Sequence, residues 1–287
     1  MPKYEYHRPK TLDDALELVA AREGARCIAG GTELLVRFRK GTAEPPPALV
    51  SLRSVEELRR IDVSETIRIG AAVTVAEVAA HEEIRALLPA LANAARSLGC
   101  VQIRNTATIG GNLANASPCA DTAPPLLVYD ASLVLRSRAA TREVPFSEFT
   151  RGPGSTCLAS DEILTEIKIK RPGSGLRSEY SRKGRVKMDL AIASLATAFR
   201  IEDQILSGVR VAAGAVGEVP LRLLRTEEIL EGESLCAGLI GQAADQAAME
   251  VRPISDIRSS AGYRRSLVRV FLSRHLRSCL AGAEREG

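Results

Sequence analysis

Two pairs of adjacent glycines mark the places where the backbone of this chain could bind a ligand. The first lies in Cys27-Ile28-Ala29-Gly30-Gly31-Thr32-Glu33-Leu34 and the second in Thr108-Ile109-Gly110-Gly111-Asn112. Glycine tolerates positive φ and lets a ligand approach the main chain, so each pair predicts a tight loop with free N–H groups. Such loops hold anionic oxygens, and two matching loops favour the phosphates of a dinucleotide. Two ordinary tight turns are the alternative, because neither stretch fits a known phosphate-binding pattern.

The sequence offers little support for a metal site or for nucleophilic catalysis. The six cysteines are far apart and form no C-x-x-C pair, so we expect no metal on this chain. No nucleophile–base pair or two-carboxylate site is apparent. None of the three histidines adjoins a glycine pair, and we expect all of them on the surface or at helix caps: His7, His81 and His275.

Helical and strand patterns surround both glycine pairs. Capping boxes at Thr11 and Thr74 begin two helices, Pro89 begins a third, and a buried strand at 26–29 leads into the first pair. Further strands are predicted at 48–52, 65–71, 133–135, 142–145, 163–169 and 209–216, with helix or strand at 126–128 and 191–198. Three helices are predicted near the end, at 223–230, 239–251 and 259–280. The breaker-rich stretch 171–175 separates two halves, and the second half predicts an α+β layer domain.

The composition is that of an ordinary globular protein. The 287 residues suffice for two domains, and 45% of them are hydrophobic and 26% charged. A net charge of +4 and an aromatic content of 3% argue against a nucleic-acid-binding protein. No signal peptide opens the sequence and no uncharged apolar run reaches membrane-spanning length, so we expect a cytoplasmic protein.

Together the glycine motifs resemble the FAD-binding subunit of molybdenum hydroxylases, the family of aerobic carbon monoxide dehydrogenase and xanthine dehydrogenase. The resemblance continues in order through 116–121, 183–191 and 256–264, and so covers nearly the whole chain. It implies an α+β fold: a two-subdomain FAD-binding fold of the vanillyl-alcohol oxidase (PCMH) type over residues 1–173, with subdomains at about 1–55 and 56–173. A smaller α+β C-terminal domain would follow at 174–287.

The same resemblance implies which residues bind FAD. Residues 27–34 and 108–112 would surround the diphosphate, with hydrogen bonds to phosphate or ribityl oxygens from Thr32, Thr108 and Asn112. Asp121 would accept a hydrogen bond from a sugar or ribityl hydroxyl, and a turn-forming role is the alternative. Leu98 and Leu164 fall where the family places apolar contacts to the flavin or adenine ring. Plain core positions are the alternative for both leucines.

A basic segment holds the densest positive cluster of the chain, for which a solvated loop is the default prediction: Arg177, Arg182, Lys183, Arg185 and Lys187. In the family, the residues that match 183–191 form a mobile loop near the flavin, with Leu190 here in place of the usual isoleucine. Lys183 or Arg182 could therefore supply a positive charge beside the flavin. A merely solvated loop is the alternative.

The function implied by the resemblance is that of an electron-transfer flavoprotein subunit in a heterotrimer. Electrons would arrive from 2Fe-2S clusters on a small subunit and leave to NAD or another external acceptor. The substrate would be oxidised at a molybdopterin cofactor on a large subunit, in a dimer of heterotrimers. A self-sufficient flavin oxidoreductase of the same fold is one alternative, although the sequence offers no clear acid–base residue for it. A non-catalytic nucleotide-binding module is another.

Overall fold

The computed structural model describes residues 4–283, which fold into two compact units. Unit 1 contains residues 4–80, 100–116 and 130–171, and unit 2 contains residues 81–99, 117–129 and 172–283. Two segments that precede residue 173 thus belong to unit 2. The predicted domain limits, 1–173 and 174–287, follow the order of the chain and remain a prediction.

Helices and strands alternate as far as Ser51, and longer runs of helices or of strands follow. The helices are α1 Leu12–Ala21, α2 Leu34–Lys40, α3 Val75–Ala80, α4 Glu82–Leu87, α5 Pro89–Ser97, α6 Val101–Arg104, α7 Ile109–Ala114, α8 Ala123–Val128, α9 Phe146–Phe149, α10 Leu224–Leu230, α11 Ala237–Glu250 and α12 Ala261–Ala283, with a 3-10 turn at Glu56–Arg59. The strands are β1 Glu5–His7, β2 Arg26–Ile28, β3 Ala48–Ser51, β4 Ile61–Val63, β5 Thr66–Gly70, β6 Ser132–Arg136, β7 Thr141–Pro145, β8 Thr150–Gly152, β9 Ser155–Thr156, β10 Ile163–Lys170, β11 Arg177–Lys183, β12 Ala193–Glu202, β13 Ile205–Gly214 and β14 Leu221–Arg222.

A three-stranded parallel sheet with the order β1-β3-β2 begins unit 1. Thr11 caps α1 by accepting a hydrogen bond from the N–H of Asp14 (3.1 Å), as its capping box predicts. The helix then buries four apolar residues at helical spacing: Leu12, Ala15, Leu16 and Val19. Because all three strands run in the same direction, their carboxyl ends at His7, Ile28 and Ser51 share one edge of the sheet.

The second sheet of unit 1 is antiparallel, with the order β4-β5-β10-β6-β7. Its central strand, β10, alternates buried and partly exposed residues, with Ile167 and Ile169 fully buried. The hairpin β6–β7 and the closing strand β10 were both predicted from this period of two, and both are confirmed.

A four-stranded antiparallel sheet, β11-β12-β13-β14, forms the centre of unit 2. Helices α5 and α8 pack against this sheet, as do α10 and α12. The segment 191–198, for which helix and strand were both open, mainly forms the start of β12. Leu195 and Phe199 of that strand lie in one core with residues of α10, α11 and α12.

The basic cluster corrects a prediction about local structure. Residues Arg177–Lys183 are not a solvated loop but strand β11, which pairs with β12 along its whole length. Their charges hid the strand pattern, because the buried positions of β11 include Tyr180 and the mostly buried Arg182 rather than aliphatic residues. Of the cluster, only Arg185 and Lys187 lie outside a strand or helix, in the segment 184–192 between β11 and β12.

No helix between residues 4 and 283 is long and apolar enough to cross a membrane.

Candidate functional site

The first glycine stretch connects β2 to α2 and keeps its peptide N–H groups free of internal partners. Within residues 4–283, the N–H groups of residues 29–33 donate no hydrogen bond to the protein. The neighbouring carbonyl groups are used: that of Ile28 accepts from Leu52 (2.9 Å), and that of Gly31 accepts from Leu35 (3.1 Å). Gly31 has a φ of +68°, which glycine adopts without steric cost. Successive N–H groups without internal partners are donors that an anion can use.

Gly30 is a glycine because another part of the backbone passes close to it. A Cβ atom at this position would lie 2.2 Å from the carbonyl oxygen of Thr106 and 2.8 Å from the Cα of Ala107. Thr106 and Ala107 immediately precede the second glycine stretch. Unit 1 therefore brings the two stretches together, as the sequence led us to expect.

The second glycine stretch begins a helix and is not a loop. Thr108 caps α7 by accepting a hydrogen bond from the N–H of Gly111 (3.1 Å), and its carbonyl accepts from Asn112 (2.9 Å). The N–H of Gly110 donates to the carbonyl of Ala71 (2.9 Å). The prediction of a loop with free N–H groups was wrong here, because the fold itself uses these donors.

The two glycines of α7 differ in their surroundings. A Cβ atom on Gly110 would lie 2.7 Å from the carbonyl oxygen of Ala71, so this position packs against backbone. Gly111 is exposed, and apart from the backbone of α7 itself a Cβ there would meet the Thr108 hydroxyl oxygen, at 2.9 Å, and no other atom within 4 Å among residues 4–283. At Gly111 the absence of a side chain thus leaves open space. At Gly110 it allows Ala71, the residue after β5, to pack closely against the helix. Ile109, between Thr108 and Gly110, is fully buried.

Leu164 lies in the same part of unit 1. It pairs with Leu135 of β6 and is 5% exposed. The carbonyl of the next residue, Thr165, accepts a hydrogen bond from the N–H of Ala71, the residue whose carbonyl binds Gly110. Leu164 is therefore a core residue of the sheet beside α7.

Asp121 is at the centre of a polar network in unit 2. Its Oδ1 accepts a hydrogen bond from the Tyr180 hydroxyl (2.7 Å) and lies 3.1 Å from Nε of Arg182, an ion pair that lacks hydrogen-bond alignment. Burial raises the pKa of Asp121 above its ordinary value, although Arg182 and Tyr180 oppose that shift. Burial, together with the Asp121 carboxylate, raises the pKa of Tyr180 well above its ordinary value. Tyr180 and Arg182 meet the same carboxylate because alternate residues of a strand share one face.

The guanidinium of Arg182 is committed to this network. Its Nη1 donates to the carbonyl of Ser97 at the end of α5 (2.7 Å), and its Nη2 donates to the carbonyl of Asp189. Lys183, the next residue, is exposed at the end of β11. Lys183, unlike Arg182, therefore projects into solvent. Leu98 also belongs to unit 2 and is 9% exposed at the C-terminal cap of α5.

The prediction that all three histidines lie on the surface or at caps was wrong for His275. His7 is partly exposed on β1 and His81 occupies the N-cap of α4, but His275 is 1% exposed. It hydrogen-bonds Thr197 through Nδ1 (3.0 Å) and Ser181 through Nε2 (2.8 Å). One face of α12 packs on the sheet, and His275 lies on that face. The regular spacing of Val268, Leu272 and Leu276 could have predicted this buried face from the sequence.

Comparisons with known proteins agree with these features. Residues 2–172 match the family described as the FAD binding domain in molybdopterin dehydrogenase, and residues 178–279 match the CO dehydrogenase flavoprotein C-terminal domain. The xanthine dehydrogenase FAD-binding subunit of Escherichia coli O157:H7 is 32% identical over 282 residues, which is 97% of this chain and 96% of that protein.

Solved structures give the same result. A chain of the carbon monoxide dehydrogenase of Hydrogenophaga pseudoflava, in a form that lacks the Mo-pyranopterin moiety of the molybdenum cofactor, superposes with a TM-score of 0.93 at 30% identity, covering 98% of both chains. A chain of quinoline 2-oxidoreductase from Pseudomonas putida 86 gives a TM-score of 0.92 at 29% identity, again covering 98% of both chains.

The fold and the family match over residues 2–172 define a flavoprotein, an oxidoreductase chain that binds FAD. More specifically, the chain belongs to the FAD-binding subunits of the molybdenum hydroxylase family. The predicted fold, an FAD-binding domain followed by a C-terminal domain, is thereby confirmed, as are the family and the cofactor.

Proposed function

We propose that the N–H groups of residues 29–33 hold the diphosphate of FAD in an electron-transfer subunit. The observation that carries this proposal is the run of N–H groups that lack partners within residues 4–283. A diphosphate needs several donors at once, and a main chain with a glycine at positive φ presents them without side chains in the way. Thr32 and Glu33 complete this loop before α2 begins.

The other candidate residues contribute contacts rather than free N–H groups. In unit 1, the exposed Gly111 leaves space for the cofactor beside Thr108 and Asn112, and Cys27, Ile28, Ala29 and Leu34 shape the approach from β2 and α2. In unit 2, we assign Asp121 to a ribityl or sugar hydroxyl, because its Oδ2 accepts no hydrogen bond from residues 4–283. Leu98 and Leu164 are assigned ring contacts, and the exposed Lys183 a positive charge near the cofactor.

These residues bind and orient the cofactor, and the redox chemistry belongs to FAD itself, which exchanges electrons one or two at a time. We propose that electrons reach this subunit from 2Fe-2S clusters on a small partner subunit and leave to NAD or another external acceptor. The substrate would be oxidised on a large molybdopterin subunit, in a dimer of heterotrimers. The family membership supports this arrangement.

A cytoplasmic location is also proposed, and the six free cysteines support a reducing compartment.

A pair of glycine substitutions tests the assignment of the diphosphate site. Gly31 and Gly41 both have a φ of +68°, so alanine at either position carries the same backbone strain of about 1–2 kcal/mol. At Gly31 the new Cβ would lie 3.0 Å from Ile28 and 3.1 Å from Leu35, whereas at Gly41 it would meet nothing within 4 Å.

We therefore expect Gly31→Ala, whose crowded Cβ displaces the loop, to lose bound FAD and to be somewhat less stable than Gly41→Ala, which should retain FAD. The measurement is the visible absorbance of bound FAD per mole of purified protein. Equal FAD content in both variants would show that the first glycine stretch does not bind the cofactor.

Reconstitution with partner subunits tests the electron-transfer role. Anaerobic addition of an organic substrate should leave the FAD absorbance of this chain unchanged in the absence of the other subunits. The same addition should bleach the absorbance once the small and large subunits are present. Bleaching of the chain by itself would instead favour a self-sufficient flavin oxidoreductase.

A further inference from the structure

Three arginines surround a cavity at the carboxyl edge of the parallel sheet in unit 1. The cavity has a volume of about 500 Å³ and is lined by Tyr6, Arg8, Ser51, Arg53, Ser54 and Arg59. No aspartate or glutamate is among these residues. A concave site of this size lies in the range that holds a nucleotide-sized molecule.

The guanidinium groups are poorly neutralised by the protein. Within residues 4–283, no carboxylate lies within ion-pair distance of Arg8 or Arg53. Arg59 has one distant partner, Glu77, at 3.9 Å, and both side chains are more than 40% exposed. Glu77 is already engaged by the N–H and hydroxyl of Thr74 (2.7 Å each). Three like charges around one cavity repel each other, and an anion between them relieves that repulsion.

The topology also favours a ligand here. β1 ends at His7 and β3 at Ser51, so the cavity lies at the carboxyl ends of two adjacent parallel strands. Open parallel sheets bind ligands at this edge. The residue at the end of β3, Ser51, is 1% exposed, whereas Tyr6 of β1 is 51% exposed and offers a ring face.

This cavity adjoins the proposed diphosphate site but shares no residue with it. Tyr6 and Arg8 lie on the β1 side of the central strand β3, and the glycine stretch follows β2 on the other side. Ser51 of β3, which pairs with Ile28, borders both sites. None of the lining residues belongs to 27–34 or to α7.

We propose that this cavity is a second anion site, which binds the phosphate groups of a nucleotide with Arg8, Arg53 and Arg59. Guanidinium groups bind phosphate oxygens in pairs through charge-assisted hydrogen bonds. The ring of Tyr6 stacks on the base of the nucleotide, and Ser54 also lines the cavity.

The test is calorimetric titration of the full chain saturated with FAD, so that the cofactor site cannot bind the probe. ADP and inorganic pyrophosphate should bind with one site per chain, and adenosine should bind at least about tenfold more weakly, because it lacks the charged groups. Affinity for ADP should fall as sodium chloride screens the arginines.

Variants identify the site. The double variant Arg8→Ala, Arg53→Ala should weaken ADP binding at least about tenfold and leave FAD content unchanged. Arg60→Ala, an exposed arginine that does not line the cavity, is the matched control and should bind ADP as the wild type does.

Three outcomes would overturn the proposal. The first is that the wild type fails to bind both ADP and pyrophosphate at millimolar concentrations. The second is that the double variant loses FAD in parallel with ADP, since the cavity would then belong to the cofactor site. The third is that the double variant binds ADP normally but no longer assembles with partner subunits, which would assign the arginines to an acidic protein surface.

Discussion

The carbonyl oxygen of Thr106 occupies the space that a side chain on Gly30 would need, only 2.2 Å from the position of a Cβ atom. Two stretches that are more than seventy residues apart in the chain are thus in backbone contact. This contact places the free N–H groups of residues 29–33 beside the segment that leads into α7.

Gly30→Ala should therefore be strongly destabilising. The carbonyl of Thr106 is backbone and cannot move aside as a flexible side chain would, so we expect a loss of at least about 3 kcal/mol in the free energy of unfolding. Urea denaturation measures it. Gly152→Ala is the matched control in the same unit, because a Cβ there would meet nothing within 4 Å. A similar stability for the two variants would contradict the close approach.

Asp121→Asn should weaken FAD binding by about 1–3 kcal/mol, the cost of leaving a polar partner poorly satisfied. The amide keeps the shape of the side chain but loses the negative charge next to Arg182. The measurement is the FAD dissociation constant from fluorescence titration. Asp245→Asn removes the carboxylate of an exposed aspartate–arginine pair in the same unit and should have no effect on FAD affinity. An unchanged dissociation constant for Asp121→Asn would leave this residue a purely structural role.

Arg264→Met should destabilise unit 2 by about 3–5 kcal/mol, because it removes the buried guanidinium from a charge network and its hydrogen bonds are lost. The guanidinium donates to the carbonyls of Ile192 (2.6 Å) and Ala215 (2.9 Å) and to Asp256 (2.7 Å). Desolvation raises the pKa of Asp256, but hydrogen bonds from Arg258 and Arg264 outweigh that effect and hold the pKa well below its usual range.

Arg265→Met provides the comparison for that variant. Arg265 is the next residue of α12 and is exposed, so its replacement should change the free energy of unfolding by less than about 0.5 kcal/mol. Chemical denaturation of both variants gives the measurement. Equal stabilities would show that the Arg264 network contributes nothing to the fold.

His275 should make the stability of the protein depend on acid pH. Burial lowers its pKa from 6.5 to about 4, so the unfolded chain takes up a proton at a higher pH than the folded protein does. Stability that is complete above pH 6.5 is therefore lost as the pH falls towards about 4, by up to about 3 kcal/mol.

The variant His275→Gln isolates that contribution. Glu179, whose Oε1 lies 3.6 Å from Nε2, has a pKa raised by burial and contributes in the opposite direction, so the two proteins must be compared directly. Free energies of unfolding from urea titrations at pH 7 and at about pH 4.5 should converge for wild type and variant as the pH falls. A constant difference between them would show that His275 does not titrate in this range.

Local patterns were enough to predict many of the elements. The capping box at Thr11, the hairpin β6–β7 and strand β10 each follow from neighbouring residues, because caps and the period of two act over a few positions. β11 was missed, because its buried face depends on Asp121, a partner some sixty residues earlier in the chain. His275 was misplaced for a similar reason: its partners Thr197 and Ser181 come from other elements.

The sequence by itself predicted that both glycine stretches admit a close approach to the backbone, because glycine carries no side chain. Only the tertiary structure decided what approaches. At Gly110 it is the carbonyl of Ala71, and at Gly30 the carbonyl of Thr106. Glycine disfavours a helix interior, so the sequence favoured a loop at α7, but contacts with distant backbone groups and the Thr108 cap outweighed that preference. The free donors therefore remain at residues 29–33, whose N–H groups have no partner within residues 4–283.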